Sequence, residues 1–330
     1  MKVDKLTRAE APSFASGRTT YTTEFGLQVT GDSLTLLAEI EPNTVDLFVT
    51  SPPFPLLRPK AYGNEDQNDY VAWLVEFARL AHSALKPTGS LVIDIGGAYQ
   101  RGRPVRSLHQ FRALLAFVDV LGYHLAEEFY WNNPAKLPSP IEWVNKRKIR
   151  AKDSVNTVWW LSKGEFPKAD VGKVRVPYSK SMIALLKDPA KHYTPKQRPS
   201  EHNIGEAFSR DNGGALPSNL LSISNSQSND VYLRACKALG LPGHPARFPV
   251  KLPAFFIEML TEPGDLVIDF FSGSNTTGRA AEDLGRNWVS FELDPDYSAL
   301  SAVRFMDPEV SPFEARIMID KMLAGKPVHL

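Results

Sequence analysis

The chain alternates between short runs of consecutive apolar residues and longer segments in which apolar residues recur every three or four positions. The short runs are rich in β-branched residues and predict buried strands, the fifth of which continues into a loop of small polar residues. They span residues 44–51, 90–97, 124–131, 154–162, 266–277 and 287–297. The longer segments predict amphipathic helices, most of which end near glycine or proline. They span residues 68–86, 107–122, 252–265, 276–285 and 296–306.

The order of these elements predicts an α/β fold with a doubly wound, mostly parallel sheet, because strands and helices alternate along the chain. The alternation occupies residues 26–162 and 244–330, which we interpret as two halves of one domain. Residues 1–25 are polar and predict an N-terminal arm. Residues 163–243 are rich in proline, glycine, serine and asparagine but keep many aromatic and aliphatic residues. This composition favours an inserted module that is irregular but ordered.

Composition narrows the class of protein. Hydrophobic residues make up 43% of the 330 positions, as is typical of globular proteins, and no apolar run is long enough to cross a bilayer. The N-terminus lacks the apolar centre of a signal peptide. The single cysteine, Cys236, excludes an intramolecular disulfide and a zinc site built on a cysteine cluster. We therefore expect a cytoplasmic protein with no membrane contact and no metal.

The basic residues are unevenly distributed, although the net charge of +1 by itself gives no indication of a nucleic-acid partner. Residues 136–152 contain many lysines and arginines against a single acid, Glu142. A second basic stretch covers residues 191–198. Taken alone, such clusters are typical of a solvated surface.

Two strand ends in the C-terminal half carry residues suited to a nucleotide-like ligand. Ligands of open α/β sheets bind beyond the carboxyl ends of the strands, and the loop 269–277 combines small and polar residues there. Glu292 ends the next strand and can accept both hydroxyl protons of a ribose, although a solvated acid at a strand end is an equally good interpretation. The loop lacks the GxGxxG pattern of dinucleotide folds and the lysine of a P-loop, which argues against an NAD-dependent oxidoreductase.

The motif Ser51-Pro52-Pro53-Phe54 follows the first strongly apolar strand. Two prolines fix the backbone and remove two donors, so carbonyl oxygens at this corner remain free to accept hydrogen bonds. Acceptors of this kind can hold the exocyclic amino group of a base and direct its lone pair at an electrophile. An aromatic ring such as Phe54 offers a face on which an extruded base stacks. An isolated motif of this composition is more commonly a rigid turn.

This motif does not stand alone, and the whole set resembles the DNA amino-methyltransferases with β-type motif order. Within them it is most similar to the cytosine-N4 modification methylases of the PvuII type. The segments that carry the resemblance are 31–37, 50–64, 89–99, 129–160, 244–249, 260–278 and 288–293. Their combination and order are specific, whereas each segment alone is not.

The resemblance implies S-adenosylmethionine as cofactor. It places Asp32 at the adenine edge, Glu292 at the ribose hydroxyls and Phe248 beside the methionine moiety. The full set of implied cofactor-binding residues is Asp32, Phe248, Asp269, Phe270, Ser272, Gly273, Ser274, Asn275, Thr276 and Glu292.

The implied catalytic residues are Ser51, Pro52, Pro53 and Phe54. Serine at the first position resembles cytosine-N4 enzymes, whereas adenine-N6 enzymes usually have Asp or Asn there. Asp94 ends the next strand and is a candidate acceptor for the proton that the methylated nitrogen loses, or else a structural carboxylate. Cys236 lies in a helical context, which does not fit the nucleophile of a cytosine-C5 enzyme.

The implied partner is double-stranded DNA from which the target base is flipped out. In that context we interpret five cations of the first basic cluster as phosphate contacts: Lys136, Lys146, Arg147, Lys148 and Arg150. Residues 163–243 would then be the target-recognition region. We expect a monomer or weak dimer, and a restriction endonuclease that acts on the same site without forming a complex. An adenine-N6 methyltransferase and a catalytically silent DNA-binding protein remain as alternatives.

Overall fold

The computed structural model describes residues 13–54, 69–100, 102–189, 210–225 and 230–330. They form two compact units. The larger unit comprises the described residues up to 169 and those from 219 onward, and the smaller unit comprises residues 170–218. Within the described ranges, no helix is long and apolar enough to cross a membrane.

A single sheet organises the larger unit. Its spatial order is β10-β1-β2-β9-β8-β3-β4-β6-β5-β7. The strands found in the described residues are β1 (Arg18–Thr22), β2 (Gly26–Thr30), β3 (Val45–Thr50), β4 (Leu85–Ile95), β5 (His124–Asn132), β6 (Val155–Ser162), β7 (Leu220–Ser222), β8 (Leu266–Asp269), β9 (Asn287–Glu292) and β10 (Val328–His329).

The five central strands, β2, β9, β8, β3 and β4, run parallel to one another. Antiparallel pairs occur where β1 meets β2 and where β6 lies between β4 and β5. The predicted α/β fold with a mostly parallel sheet is therefore confirmed. Because β5 is antiparallel to β6, which is antiparallel to β4, the carboxyl end of β5 lies at the same edge as those of the central strands.

Helices cover both faces of this sheet, as expected for parallel strands that are buried on both sides. The described helices are α1 (Ser33–Ala38), α2 (Tyr70–Ala84), α3 (His109–Asp119), α4 (Lys180–Lys187), α5 (Val231–Leu239), α6 (Lys251–Leu260), α7 (Thr276–Asp283), α8 (Pro295–Ser301) and α9 (Pro312–Leu323). The predicted helical segments correspond to α2, α3, α6, α7 and α8, and α5 contains Cys236, whose context was predicted to be helical, while α1, α4 and α9 were not expected.

Successive residues of β3 show how the two faces of the sheet are used. Phe48 belongs to the core cluster that also contains Phe77 of α2, whereas Val49 lines a small cavity together with Leu252 and Phe256 of α6. All five side chains are buried. Burial on both faces explains why the strand is apolar at every position instead of alternating with polar residues.

The N-terminal region differs from the prediction of a polar arm, because residues 18–22 form β1. Threonines and a tyrosine favour extended backbone, and the strand buries Tyr21 completely. The Tyr21 hydroxyl bonds to Ser301 at 2.7 Å and accepts from Asn275 at 3.0 Å. A polar composition therefore concealed an internal strand whose polar groups are satisfied by partners distant in sequence.

The smaller unit is narrower than the predicted region 163–243, because β7 and α5 belong to the larger unit. Within it, Asp170 caps a short 3₁₀ turn at Val171–Val174, and Ser179 caps α4. An isolated bridge joins Val176 to Ala215. The basic stretch 191–198 lies outside the described residues.

Candidate active site

The end of β3 lies beside the end of β4, which brings the predicted catalytic serine and acid together. Thr50 pairs in register with Ile93, so the next residues, Ser51 and Asp94, are neighbours. The Ser51 hydroxyl donates to Asp94 Oδ2 at 3.1 Å. A serine between an acid and the open edge of the sheet can pass a proton to that acid.

The Asp94 carboxyl is almost fully buried, and its other oxygen, Oδ1, has no hydrogen-bond partner among the described residues. Burial raises the pKa of Asp94 to about 6, and this rise is opposed by the Ser51 hydroxyl, the Asn156 amide and the positive charge of Lys136. Asp94 is therefore an acid that titrates close to neutral pH, as a proton acceptor requires.

The ring of Phe54 lies against the backbone of Gly96, just beyond the end of β4. A Cβ added to Gly96 would lie 2.4 Å from Phe54 Cε2, which is closer than real contacts allow. Glycine at this position therefore makes room for the aromatic ring at the catalytic corner. Pro52 is buried, while Pro53 and Phe54 are half-buried.

Asp269, at the end of β8, holds the following loop in place. Its carboxylate accepts from the hydroxyls of Thr50 and Thr277 at 2.8 and 2.7 Å and from the Phe271 amide at 3.0 Å. Burial raises its pKa to about 6, against the lowering effect of these bonds. Because Thr50 precedes Ser51, Asp269 ties the loop to the segment Ser51–Phe54, the predicted catalytic corner.

Asn275 also shapes the loop from within. It adopts the left-handed conformation with φ 51° and caps α7 by accepting from Gly278 N at 2.9 Å. The same Oδ1 accepts from Ser290 at 2.8 Å, and the amide donates to Tyr21. Phe270 is likewise buried, stacked on Phe77 in the core. These two predicted cofactor residues therefore build the loop.

The serines and threonine of the loop are buried too. Ser272 donates its backbone N–H to Phe291 O at 3.0 Å, and its hydroxyl contacts Gln28. The hydroxyls of Ser274 and Thr276 lie 3.3 Å apart. The backbone of the loop is thus fixed before any ligand arrives, as preorganisation requires.

Glu292 and Gly273 face each other across the ends of β8 and β9. The Gly273 amide donates to Glu292 Oε2 at 2.8 Å and the Asp294 amide to Oε1 at 3.0 Å. Burial raises the pKa of Glu292 to about 7, and the two amides act in the opposite direction. Gly273 has φ 52°, and a Cβ there would lie 2.9 Å from the ring of His244, so this position requires glycine.

Asp32 reaches the same edge of the sheet from β2. Gly31 donates to the backbone oxygen of Glu292 at 3.0 Å, so Asp32 follows directly at this point. Its Oδ2 accepts from the Thr35 amide and hydroxyl and so caps α1. Asp32, Gly273 and Glu292 thus surround one point of the edge, and the acids fit the hydroxyl and amino donors of an adenosine.

Phe248 lies nearer the catalytic corner than the adenosine edge. It lines the small cavity that also touches Thr50, Asp94 and Leu252. The structure therefore places this residue between the acid on β4 and helix α6. This position is compatible with the predicted contact to the methionine part of the cofactor.

The predicted DNA-binding cations do not share one environment. Lys146 and Arg147 are exposed and both pair with Glu142, at 3.2 and 3.1 Å. Lys148 is exposed, and Arg150 is exposed while donating to backbone oxygens. Lys136 differs, because its ammonium is half-buried and donates to Asn156 Oδ1 at 3.2 Å. The placement of Lys136 is therefore not that of a surface phosphate contact.

Two residues of the site were not singled out from the sequence. Arg304 donates to the backbone oxygen of Ser274 at 2.6 Å and to its hydroxyl at 3.1 Å. His244 packs over Gly273 and its ring lies 4.6 Å from that of Tyr297. An arginine inside the apolar helical segment 296–306 was a usable signal for the first, but His244 carried none besides its place in segment 244–249.

Comparisons with known proteins agree with this geometry. A family model for DNA methylases of the N6 and N4 types matches residues 45–303. The type II methyltransferase M.PvuII of Proteus hauseri is 56% identical over 310 residues, which cover 94% of this chain and 92% of that relative. The solved structure titled PvuII DNA methyltransferase (cytosine-N4-specific) superposes with a TM-score of 0.79 and 47% identity, covering 96% of this chain and 99% of that one.

A more distant structure, the M1.HpyAVI–SAM complex, shares the fold alone, with a TM-score of 0.50, 18% identity and coverage of 85% and 98% of the two chains. The resemblance inferred from the motifs is thus confirmed at the level of the family. The chain belongs to the N6/N4 family of DNA methylases.

Proposed function

We propose that the protein transfers a methyl group from S-adenosylmethionine to the N4 amino group of cytosine in a short site of double-stranded DNA. The observation that carries this proposal is the hydrogen bond from Ser51 to Asp94 at the end of β3, next to the strand whose loop forms the cofactor edge. The similar M.PvuII structure is titled as cytosine-N4-specific, which supports the same base and atom.

The residues at the adenosine edge fit this cofactor. Glu292 would accept from the ribose hydroxyls, Asp32 would accept from the adenine amino group, and the backbone at Gly273 permits close approach. When bound, S-adenosylmethionine would supply a methyl carbon activated by a positively charged sulfur, so that a nitrogen lone pair could form an N–C bond as the C–S electron pair left with sulfur.

The catalytic corner acts on the cytosine amino group. Its N–H bonds would be held by the Ser51 hydroxyl and by carbonyl oxygens of the Ser51-Pro52-Pro53 segment, which proline leaves without competing donors. Held in this way, the nitrogen directs its lone pair at the electrophile. Methylation leaves N4 positively charged, and the excess proton passes through Ser51 to Asp94.

The base must leave the duplex to reach this corner, which costs a few kcal/mol of stacking and pairing energy. Phe54, seated on Gly96, offers an aromatic surface for the flipped cytosine. The exposed cations Lys146, Arg147 and Lys148 would hold the phosphate backbone without reading sequence.

The partner and assembly predictions extend this proposal. Residues 163–243, which include the separate unit 170–218, would read the bases of the target site. The protein would work in the cytoplasm as a monomer or weak dimer. The restriction endonuclease would recognise the same site independently, without forming a complex with the methyltransferase.

The proposal is tested by incubating the purified protein with unmethylated genomic DNA and labelled S-adenosylmethionine, followed by digestion and mass spectrometry. We expect N4-methylcytosine in the wild-type digest. Ser51→Ala should lower turnover by about 100-fold, the usual contribution of a positioned acid–base group, while S-adenosylmethionine affinity stays unchanged.

Ser311→Ala serves as the matched serine control, because Ser311 caps the remote helix α9 and should affect stability only. A digest that contains N6-methyladenine instead would support the adenine alternative and contradict the assignment of the base. Absence of any methylated product, with DNA binding intact, would favour the silent DNA-binding protein.

A further inference from the structure

We propose that Lys136 and Asn156 form a polar link that keeps Asp94 ionised, which makes Lys136 a positioning residue for proton removal. This inference rests on the proposed function, because it assigns a task to the acid that receives the proton. It also separates Lys136 from the phosphate contacts among which its position in the sequence placed it.

The strand register brings this link to the acid. Asp94 of β4 pairs directly with Val158 of β6, and Asn156 lies two residues before Val158. Because side chains alternate along a strand, Asn156 is on the same sheet face as Asp94 and nearer the catalytic edge. The Asn156 amide group thus lies between the Asp94 carboxyl and the edge of the sheet at the carboxyl end of β4.

Lys136 supplies the charge at the outer end of the link. Its ammonium donates to Asn156 Oδ1 at 3.2 Å, which turns the asparagine NH2 away from the lysine and leaves it to face the acid. The Lys136 backbone is held as well, since its carbonyl oxygen accepts from Lys152 Nζ at 3.1 Å. The ammonium is half-buried, so its field is screened less than that of an exposed lysine.

The groups around Asp94 come from four elements. Ser51 follows β3 and donates to the acid, Asn156 lies on β6, Lys136 follows β5, and the phenol of Tyr70 lies on α2. Burial raises the pKa of Asp94, while Ser51, Asn156 and Lys136 lower it.

Besides Asp94, two neighbouring charges affect the pKa of Lys136. Asp153 favours its charged form and Arg106 opposes it, and these two residues pair with each other. Burial lowers the pKa of Lys136 without removing its tie to Asn156. Because the opposite charges of Asp153 and Arg106 pair with each other, Lys136 contributes the remaining positive charge near the buried Asp94 carboxyl.

The proton step explains why the charge matters. The N–H bond of the methylated, cationic N4 breaks and its electron pair stays on nitrogen. The proton moves to Ser51 Oγ as the Ser51 proton moves to Asp94 Oδ2. Only an ionised carboxylate can receive it, so a fall in pH through the pKa of Asp94 stops transfer. Asp94 can accept the proton above its pKa and cannot accept it below. Removal of a nearby cation raises this pKa, so activity is lost at a higher pH.

The test is the pH dependence of kcat for Lys136→Met, measured at saturating DNA and S-adenosylmethionine, since kcat reports groups in the bound complex. We expect the acid limb to move upward by roughly one pH unit, the effect of losing one nearby opposite charge. On that basis kcat should fall about fivefold near pH 6 and change little near pH 8. Lys136→Arg should restore the wild-type profile.

Lys321→Met is the matched control, because Lys321 is an exposed lysine in the last turn of α9, outside the catalytic and DNA-contacting segments. It should leave the acid limb in place. Asn156→Asp is a second variant of nearly equal shape, and its added negative charge should move the acid limb of the kcat profile to higher pH. The proposal can therefore be tested even if Lys136→Met folds poorly.

An unmoved limb in Lys136→Met or Asn156→Asp would overturn the link. So would a Lys136→Met variant whose sole defect is a raised KM for DNA, since that identifies a phosphate contact. Both results are distinguishable from failure of the proposed function, because in that case the wild-type protein itself forms no N4-methylcytosine.

Discussion

Three carboxyl groups at one edge of the sheet have pKa values raised by desolvation, yet their hydrogen-bond partners give them different tasks. Asp269 accepts from two threonine hydroxyls and one amide, which makes it a structural tie. Glu292 accepts from two backbone amides, and Asp94 Oδ2 accepts from the hydroxyl of Ser51. Burial explains why each pKa rises, but the partners decide what each acid does.

At this scale the affinity for S-adenosylmethionine should depend on pH through Glu292. Its pKa is raised to about 7 in the free protein, and ribose hydroxyls donate best to the ionised form. Affinity should therefore be full above that pKa and fall as the pH drops below it. Glu292→Gln should weaken binding about tenfold and remove this dependence. Isothermal titration calorimetry between about pH 6 and pH 8 measures both effects.

Glu309→Gln, an exposed change near the C-terminus, provides the control for the general effect of losing a carboxylate. If affinity stayed level across the pH range in the wild-type protein, Glu292 would not be the ribose acceptor.

At the scale of elements, the cofactor loop is held from outside by residues next to two helices. Arg304, just after α8, donates to Ser274 and contacts Asp230 at 3.5 Å at the start of α5. Its guanidinium lies 4.7 Å from the ring centre of Tyr232, whose hydroxyl accepts from the His244 amide at 2.9 Å. The chain of contacts continues to Gly273, under the His244 ring. Helix α5 thus supports the loop although it lies far away in sequence.

We expect Arg304→Met to loosen this loop. The KM for S-adenosylmethionine should rise about tenfold, because two bonds to a buried backbone segment are lost, while kcat at saturating cofactor falls much less. Arg304→Lys should recover part of the affinity. Steady-state kinetics with varied cofactor measures the split between KM and kcat.

Arg316→Met removes an exposed arginine that pairs within α9 and is the appropriate comparison. A loss confined to kcat in Arg304→Met would show that Arg304 does not act through cofactor binding. A thermal melt of each variant shows how much of the change in KM comes from a loss of protein stability.

At the scale of the whole molecule, strand direction decides which surfaces meet DNA. The carboxyl end of β5 lies at the same edge as those of β3 and β4, so the connection 133–154 leaves the sheet at the edge that carries Ser51 and Asp94. The turn at Glu142–Lys146 and the exposed cations after it belong to this connection. The cluster, which the motifs led us to interpret as phosphate contacts, therefore belongs to a connection that leaves the sheet at the edge carrying Ser51 and Asp94.

Replacement of Lys146, Arg147 and Lys148 by glutamine should weaken DNA binding and flatten its salt dependence. Each phosphate contact contributes about 0.9 to the slope of log affinity against log salt, so the slope should fall by as much as roughly three. Fluorescence anisotropy across a salt series measures the change. An unaltered slope would mean that these side chains face away from the duplex, and Arg316→Gln controls for the general loss of charge.

The sequence determined much of the fold and the motifs. The continuous apolar pattern predicted β3, β4, β8 and β9 because both faces of a parallel sheet are buried. The prediction failed for β1. The buried Tyr21 hydroxyl of this strand bonds to Asn275 and Ser301, which are distant in sequence, and no local pattern encodes such partners. Helix α5 lies in a loop-rich stretch of the chain, so only the segment around Cys236 was predicted to be helical.

For the site, residue types made Ser51 and Glu292 candidates, because a proline-stiffened corner and an acid at a strand end are local features, and the family resemblance gave these candidates their predicted roles. The partners were decided by register, which sets which side chains of different strands meet. Register placed Asp94 near Ser51 and Asn156, and a hydrogen bond to Asn156 holds the Lys136 ammonium on the side of that acid. The chain by itself therefore specified which groups are present, and only the tertiary structure decided which of them act together, since burial and proximity arise from contacts between residues distant in sequence.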